Sequence, residues 1–290
     1  MKQLSDWPSL SARKDDWLAD SITMRVKERI EMAMIRARVN ADLRAYYFKN
    51  LTKSPTNVEK TSFIVLGLMR SGTTLLGDLL ARHSELAWLG ERFVKESYWP
   101  TLYLNGVTRA YPERCVGLKV FTFQLCNRNS FEGFNRPDIR RGRRILRRLR
   151  AQNWKFVHVV RRDIFAQALS LTRATRSGEW HQTSMKIAGN AEFRLNSRDF
   201  KLNLEFLIKC RSYEQDVLSA LEILQLDYEA DLFNPYNHQV TADKVFAHLG
   251  MRSVPVSSKM IRMAGDRLDG QIENYDDLVD AAESLGVHPT

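Results

Sequence analysis

The residues with the clearest chemical purpose lie in Ile64-Val65-Leu66-Gly67-Leu68-Met69-Arg70-Ser71-Gly72-Thr73-Thr74-Leu75-Leu76. A β-prone apolar run enters a loop whose glycines permit unusual backbone angles, and the loop opens a helix. The first amides of a helix have no partner inside it, and the positive end of its dipole points outward. An anion placed there is stabilised by both effects. The spacing Gly67-x4-Gly72-x-Thr74 meets the pattern G-x-x-x-x-G-K-S/T at every fixed position but one. Thr73 stands where a nucleoside-triphosphatase has its lysine, and the cation of the loop is Arg70, three residues earlier. A lysine after the glycine reaches the outer phosphates of a triphosphate, whereas an earlier cation suits a shorter anion, two groups long. No second-strand carboxylate stands out as a magnesium ligand. The loop reads as a phosphate cradle without triphosphate or metal apparatus. An ordinary strand–turn–helix is the plainer alternative, and the complete string outweighs it.

The string Arg70-Ser71-Gly72-Thr73-Thr74 resembles the 5′-phosphosulfate loop of sulfotransferases that use 3′-phosphoadenosine 5′-phosphosulfate (PAPS). The arginine form is similar to the bacterial branch that sulfates carbohydrates and glycolipids, of the trehalose and lipopolysaccharide type. Val159-Val160-Arg161-Arg162-Asp163-Ile164-Phe165-Ala166-Gln167-Ala168-Leu169-Ser170-Leu171 resembles the family's 3′-phosphate segment, an arginine at a strand end with a serine eight residues later. Arg162 and Ser170 have that separation, and Arg161 is the candidate if the register slips by one. Arg173-Ala174, Ser177-Gly178-Glu179-Trp180-His181 and Ile272-Glu273-Asn274-Tyr275-Asp276-Asp277-Leu278 also resemble the bacterial branch. The resemblance covers roughly residues 60–285, and the R-K-G-x-x-G-x-W-K tail motif of the animal cytosolic enzymes is absent.

The resemblance implies PAPS as sulfate donor, no metal, and a carbohydrate or glycolipid acceptor. It implies donor contacts from Arg70, Ser71, Gly72, Thr73, Thr74, Arg162 and Ser170. A strand-end arginine with a serine on the next helix can give a phosphate a charge-assisted bond and a hydroxyl, at the edge where open parallel sheets bind ligands. Singly, Arg162 reads as a solvated charge and Ser170 as a hydroxyl bonded to its own helix. Transfer of the sulfuryl group needs in-line oxygens, stabilisation of charge on the leaving phosphate by Arg70, and a base for the acceptor hydroxyl. The bacterial branch has a catalytic glutamate near a Gly-Glu and a Glu-x-Phe pattern. Glu91 in Leu89-Gly90-Glu91-Arg92-Phe93 satisfies both and is assigned as base, with Glu96 in reserve and His83 third. A surface ion pair is the plainer reading of Glu91.

Lys119 stands inside the apolar Gly117-Leu118-Lys119-Val120, where it must reach a sheet edge or an anion, or snorkel. Trp88, Phe93, Tyr98, Trp99 and Tyr103 follow helical and strand spacings better suited to a core than to a sugar platform. Residues 136–150 hold Arg136, Arg140, Arg141, Arg143, Arg144, Arg147, Arg148 and Arg150. On a helix, positions 140, 143, 144, 147 and 148 make a cationic stripe, opposite Ile139, Ile145, Leu146 and Leu149. A solvated face ranks first for this stripe. Contact with an anionic membrane surface or acidic substrate ranks second, and nucleic acid last, since no reading module accompanies it.

The elements that must position these groups follow the same pattern. Strands are expected over Ser62–Leu68, Gly117–Phe121, Trp154–Val160 and 222–229, with helices over Thr73–His83 and roughly 136–150, 163–176, 240–249 and 272–285. Alternating strands and helices predict an α/β fold: a central parallel sheet of the P-loop sulfotransferase type, flanked by helices. Ile22, Val26, Ile30, Ala33 and Ala37 predict an amphipathic helix over about 21–49. Residues 1–58 are thus expected to be a helical extension and linker, ahead of a sulfotransferase domain over 59–290. A docked helix is the leading reading of that extension, with a lid or an arm for a homodimer as the others.

Composition limits the classes. The chain has 290 residues, 44% hydrophobic and 27% charged, which suits one large globular domain with an attached part. The formal charge of +10 favours anionic partners without choosing one. Cys115, Cys126 and Cys210 are far apart and fit a reducing compartment. The N-terminus carries no apolar signal-like stretch and no run is long enough to span a bilayer, so a cytoplasmic protein, peripheral at most to the inner membrane face, is expected. Two rivals stand beside the sulfotransferase reading: a small-molecule kinase of the phosphate-loop class, and a non-catalytic basic nucleotide- or anion-binding protein.

Overall fold

The computed structural model describes residues 60–92, 100–126, 137–177, 193–258, 260 and 272–289. The expected N-terminal helix, Glu96, Phe93, Tyr98, Trp99, Arg136 and the 178–181 stretch lie outside these residues. The chain divides into two compact units. One comprises Met1–Asn57 with Ser97–Pro112, the other Val58–Glu96 with Glu113–Thr290. Among the described residues the first contributes one helix, α2 (Pro100–Arg109), opened by a proline that needs no helical N–H partner.

The second unit is an α/β layer structure. Its strands are β1 (Thr61–Gly67), β2 (Leu86–Glu91), β3 (Cys115–Phe121), β4 (Lys155–Val160) and β5 (Leu224–Asp227). They form one sheet in the order β2-β3-β1-β4-β5, and every pair is parallel. The central strand is buried on both faces, with Phe63, Ile64, Val65 and Leu66 all inaccessible to solvent, which accounts for its unbroken apolar run. The register sets Gly67 of β1 beside Phe121 of β3 and Val159 of β4. From β1 the chain builds outward to β2 and β3 on one side and to β4 and β5 on the other. The C-terminal end of β1 is therefore the switch point, where a crevice opens.

Helices α1 (Thr73–Leu80) and α6 (His238–Leu249) cover one face, where Leu76, Leu79, Val245 and Phe246 pack with Phe63, Val65, Val157 and Val159. A second apolar cluster joins α4 (Ile164–Ser177), α5 (Ser197–Leu218) and α7 (Tyr275–Glu283) through Phe165, Leu169, Phe200, Leu204, Leu207 and Leu278. Helix α3 (Ile139–Arg150) packs on α5 where Gly142 meets Tyr213; a Cβ at 142 would lie 2.5 Å from the Tyr213 hydroxyl. The α/β fold with its parallel sheet is the one the sequence predicts. Among the described residues no helix is long and apolar enough to cross a membrane.

Three of the longer elements were not expected: edge strand β2, helix α2, and α5, the 22-residue helix. Strand β5 also ends at Asp227, where Tyr228–Leu232 turns helical instead of continuing the strand expected to 229. The Asn196 side chain caps α5 by accepting the Asp199 N–H at 3.0 Å. Just upstream, the Asn274 side chain pairs with both backbone groups of Leu195, accepting its N–H at 3.1 Å and donating to its carbonyl at 3.0 Å. The Ile272–Leu278 stretch thereby clamps the entry to α5.

Candidate functional site

The loop between β1 and α1 is built from backbone that side chains disfavour. Gly72 has φ 95°, and a Cβ there would sit 2.6 Å from the Tyr228 ring, so both conformation and space require glycine. Gly67 is held by space alone. A Cβ would lie 2.8 Å from Ser71 Oγ, 2.9 Å from Thr73 Cγ2 and 2.9 Å from the Val159 carbonyl. Arg70 adopts φ 63°, an unusual choice for a branched-free but bulky side chain. In that conformation its Nε donates to Ser170 Oγ on α4 at 2.9 Å. Burial, with Arg161 adding to it, lowers the Arg70 guanidinium to about 10, and Tyr228 opposes the shift. Ser71 and Thr73 are buried, and Ser71 Oγ donates to the Leu68 carbonyl at 2.8 Å. Both therefore serve the loop through backbone and packing.

Thr74 reaches a second group of side chains. Lys119 of β3 donates from Nζ to Thr74 Oγ1 at 3.3 Å and lies 3.3 Å from Glu91 Oε2. The other Glu91 oxygen accepts from Gln124 Nε2 at 3.0 Å. Gln124 is oriented by the Phe121 N–H, which donates to its Oε1 at 2.9 Å and leaves the amide NH2 facing Glu91. A bulge on β2 brings Glu91 to this place. Trp88 pairs with Gly117, but the next pairing is Glu91 with Lys119, three residues on against two. The extra residue is taken up where Gly90 has φ 63°. Burial pushes the Lys119 ammonium down from the ordinary lysine value, Glu91 pushes it back up, and Arg70 lowers it further.

At the end of β4 the two adjacent arginines diverge. Arg161 turns to the loop, donating from Nη1 to the Arg70 carbonyl at 3.2 Å, with its guanidinium carbon 4.8 Å from the Tyr228 ring centre. Arg162 turns to β5 and pairs with both oxygens of Asp227, at 2.6 Å from Nε and 3.0 Å from Nη2. The structure does not bring the Arg162 guanidinium to Ser170, whose hydroxyl instead accepts from Arg70. Helix α5 braces the strand ends from behind. Glu214 accepts from Thr122 Oγ1 and lies 3.1 Å from His158 Nε2, all three being buried.

Arg70, Ser71, Gly72, Thr73, Thr74, Glu91 and Ser170 thus gather at the switch point, together with Lys119, Arg161, Gln124 and Tyr228. Sequence reasoning left Lys119 evenly balanced and passed over Gln124 and Tyr228. A lysine in a buried parallel strand was the available signal for the first. His83 is buried at the far end of α1, where Nδ1 accepts the Glu85 N–H at 3.1 Å and the ring meets Phe246 edge-on. Trp88 packs over Gly77 and beside Phe63, a core role. On α3, Arg143 donates to the Asp216 carbonyl and Arg150 pairs with Glu222, while Arg140, Arg144, Arg147 and Arg148 are exposed. The expected stripe is therefore outward-facing at 140, 144, 147 and 148, and Arg143 belongs to the α3–α5 contact. Among the described residues no group of three or more histidine, cysteine or acidic side chains is arranged to hold a metal.

No family model matches the sequence, and no curated protein matches it. Among solved structures, a sulfotransferase from Alicyclobacillus acidocaldarius is similar over 78% of this chain and 90% of its own, with 13% identity and a TM-score of 0.43.

Proposed function

We propose that the protein transfers a sulfuryl group from PAPS to a hydroxyl of a carbohydrate or glycolipid. The observation that carries this reading is Lys119, whose ammonium lies 3.3 Å from both the loop hydroxyl of Thr74 and the carboxylate of Glu91. One cation thereby joins an anion cradle to a candidate base, which is the juxtaposition that in-line group transfer to a hydroxyl requires.

In this reading the α1 amides and Arg70 hold the 5′-phosphosulfate. The acceptor oxygen forms a bond to sulfur as the bond from sulfur to the 5′-phosphate oxygen breaks. The electron pair leaves on adenosine 3′,5′-bisphosphate, and the acceptor proton passes to Glu91. Arg70 and Lys119 stabilise the charge growing on the leaving oxygen. Ser170 and an arginine from the end of β4 take the 3′-phosphate. Arg161 is favoured for that part over Arg162, because it already adjoins the loop while Arg162 is engaged by Asp227. The exposed arginines of α3 are proposed to give peripheral contact with an anionic membrane surface, which would suit a glycolipid acceptor.

Two measurements test the reading. Calorimetric titration with adenosine 3′,5′-bisphosphate is expected to show binding, weakened at least ten-fold by Arg161→Ala and little by Arg162→Ala. Incubation with radiolabelled PAPS and fractionated glycans and lipids from the source cell is expected to label one fraction. Binding of a magnesium nucleoside triphosphate with none of the bisphosphate would overturn the reading in favour of a kinase.

A further inference from the structure

The phosphate loop shows a regularity that its own residues explain only in part. Three successive carbonyls, those of Leu68, Met69 and Arg70, are each captured by a donor. Leu68 accepts from the Ser71 N–H at 3.3 Å and from Ser71 Oγ at 2.8 Å. Met69 accepts from Gln167 Nε2 on α4 at 2.6 Å, and Arg70 accepts from Arg161. In a trans peptide the carbonyl and the following N–H point to opposite sides. The hold of Gln167 on the Met69 carbonyl therefore turns the Arg70 N–H away from α4. It also fixes the peptide that precedes the left-handed Arg70, the conformation from which that guanidinium reaches Ser170.

Gln167 is 1% exposed, a polar side chain on the buried side of α4. A glutamine amide can present either end, so something must select the NH2. The selector is Arg211 of α5. A guanidinium only donates, and Arg211 Nη2 lies 3.3 Å from Gln167 Oε1, leaving Nε2 for Met69. Arg211 is itself fixed, donating from Nη1 to the Arg162 carbonyl at 3.1 Å and from Nη2 to the Arg161 carbonyl. One guanidinium thus orients Gln167 and ties down the turn that carries Arg161, the donor to the third carbonyl.

We infer that Gln167 and Arg211 are positioning residues for the anion site, a relay from α5 through α4 that holds the loop in its binding geometry before any ligand arrives. The inference rests on the donor reading above and adds to it the source of the loop's preorganisation. Neither residue touches the donor; each acts through the backbone of the loop.

Gln167→Glu is the informative variant. It keeps the shape and strengthens the pairing with Arg211, but it sets a carboxylate oxygen against the Met69 carbonyl. Titration with adenosine 3′,5′-bisphosphate is expected to show affinity at least ten-fold below wild type, with KM for PAPS raised in step. KM for the acceptor is expected to stay within three-fold. Arg211→Gln, the second variant should the first fail to fold, is expected to show the same split. Wild-type affinity in a folded variant overturns the relay, as does a fall in kcat with unchanged KM for PAPS. Failure of the wild-type protein to bind the bisphosphate overturns the donor reading itself.

Discussion

At the scale of the residue, Arg70 combines two costs that a purely structural side chain would not retain. A non-glycine residue in the left-handed region costs about 1–2 kcal/mol. Its charge, moreover, is held against burial and against Arg161. The folded value of about 10 lies below the ordinary arginine value, so in the free protein the charged form is penalised at every pH below about 10. Arg70→Gly relieves both costs while giving up the guanidinium's contacts, the bond to Ser170 among them. Its Tm is expected to be no lower than wild type in a thermal melt, while Arg70→Ala is expected to lower turnover by about 10²–10³-fold, the usual effect of losing a charge-stabilising donor. A melt of Arg70→Gly falling many degrees below wild type would make the arginine structural. For Glu91, replacement by glutamine keeps an acceptor for Lys119 and removes the base. A fall of about 10²–10⁴-fold in kcat is expected, with bisphosphate affinity nearly unchanged in titration. A large loss of affinity would instead place Glu91 in the donor site.

Lys119 gives a pH dependence of definite sign. Its proton is released below the ordinary lysine value of about 10.4. The cation that the proposed reaction places at the leaving oxygen is then present on the acid side and lost as pH rises through the lowered value. A rate–pH profile is expected to fall on its alkaline limb earlier than an ordinary lysine would allow, and Lys119→Arg is expected to move that limb upward. An unmoved limb would exclude Lys119 from the rate.

At the scale of the element, the site depends on three interruptions of regular structure: the glycine turn after β1, the bulge in β2, and the sharp divergence after β4. Gly72→Ala meets both a positive φ and the Tyr228 ring. A loss of about 1–3 kcal/mol of stability in chemical denaturation is expected, together with weaker binding of the bisphosphate. Full retention of both would mean that the turn can relax. These interruptions also mark where the sequence is readable. The apolar runs of β1, β3 and β4 and the glycine spacing announce the sheet and its loop, because burial on both faces and positive φ leave direct traces in residue type. The bulge does not, since its effect is to pair Glu91 with Lys119 across 27 residues of intervening chain, a matter of register. Helix α5 leaves a signal that is easy to pass over: Phe200, Leu204 and Leu207 recur at helical spacing behind an Asn196 cap, but Asn203, Arg211 and Glu214 interrupt the apolar face. Those interruptions are the side chains that brace α4 and the strand ends, so the residues that obscure the helix are the ones that give it a role. Arg162 and Arg161 were separable only in three dimensions, because the choice depends on Asp227 at the end of β5.

At the scale of the whole molecule, the charge of +10 has a definite local expression on α3. Arg140, Arg144, Arg147 and Arg148 project outward, and near an anionic lipid surface each contributes about 1 kcal/mol. The protein is expected to sediment with vesicles of phosphatidylcholine containing about a third phosphatidylglycerol, and to be released as salt rises. Changing those four arginines to glutamine is expected to abolish sedimentation without altering the thermal melt. Equal sedimentation of the variant, or salt-independent binding, would remove the membrane from the proposal.

The tight floor beneath the glycine turn sets a boundary on what this scaffold can become. Thr73 is sealed under the turn, with its methyl group against the space that Gly67 leaves vacant. A lysine written there, the single codon that separates this motif from an ATP-hydrolysing one, has no room to lie where the threonine lies. Its ammonium would add a third cation beside Arg70 and Lys119, the two proposed to meet the anion. Placing a lysine at 73 in this protein therefore requires rebuilding the turn's underside, so packing as well as charge fixes the threonine there.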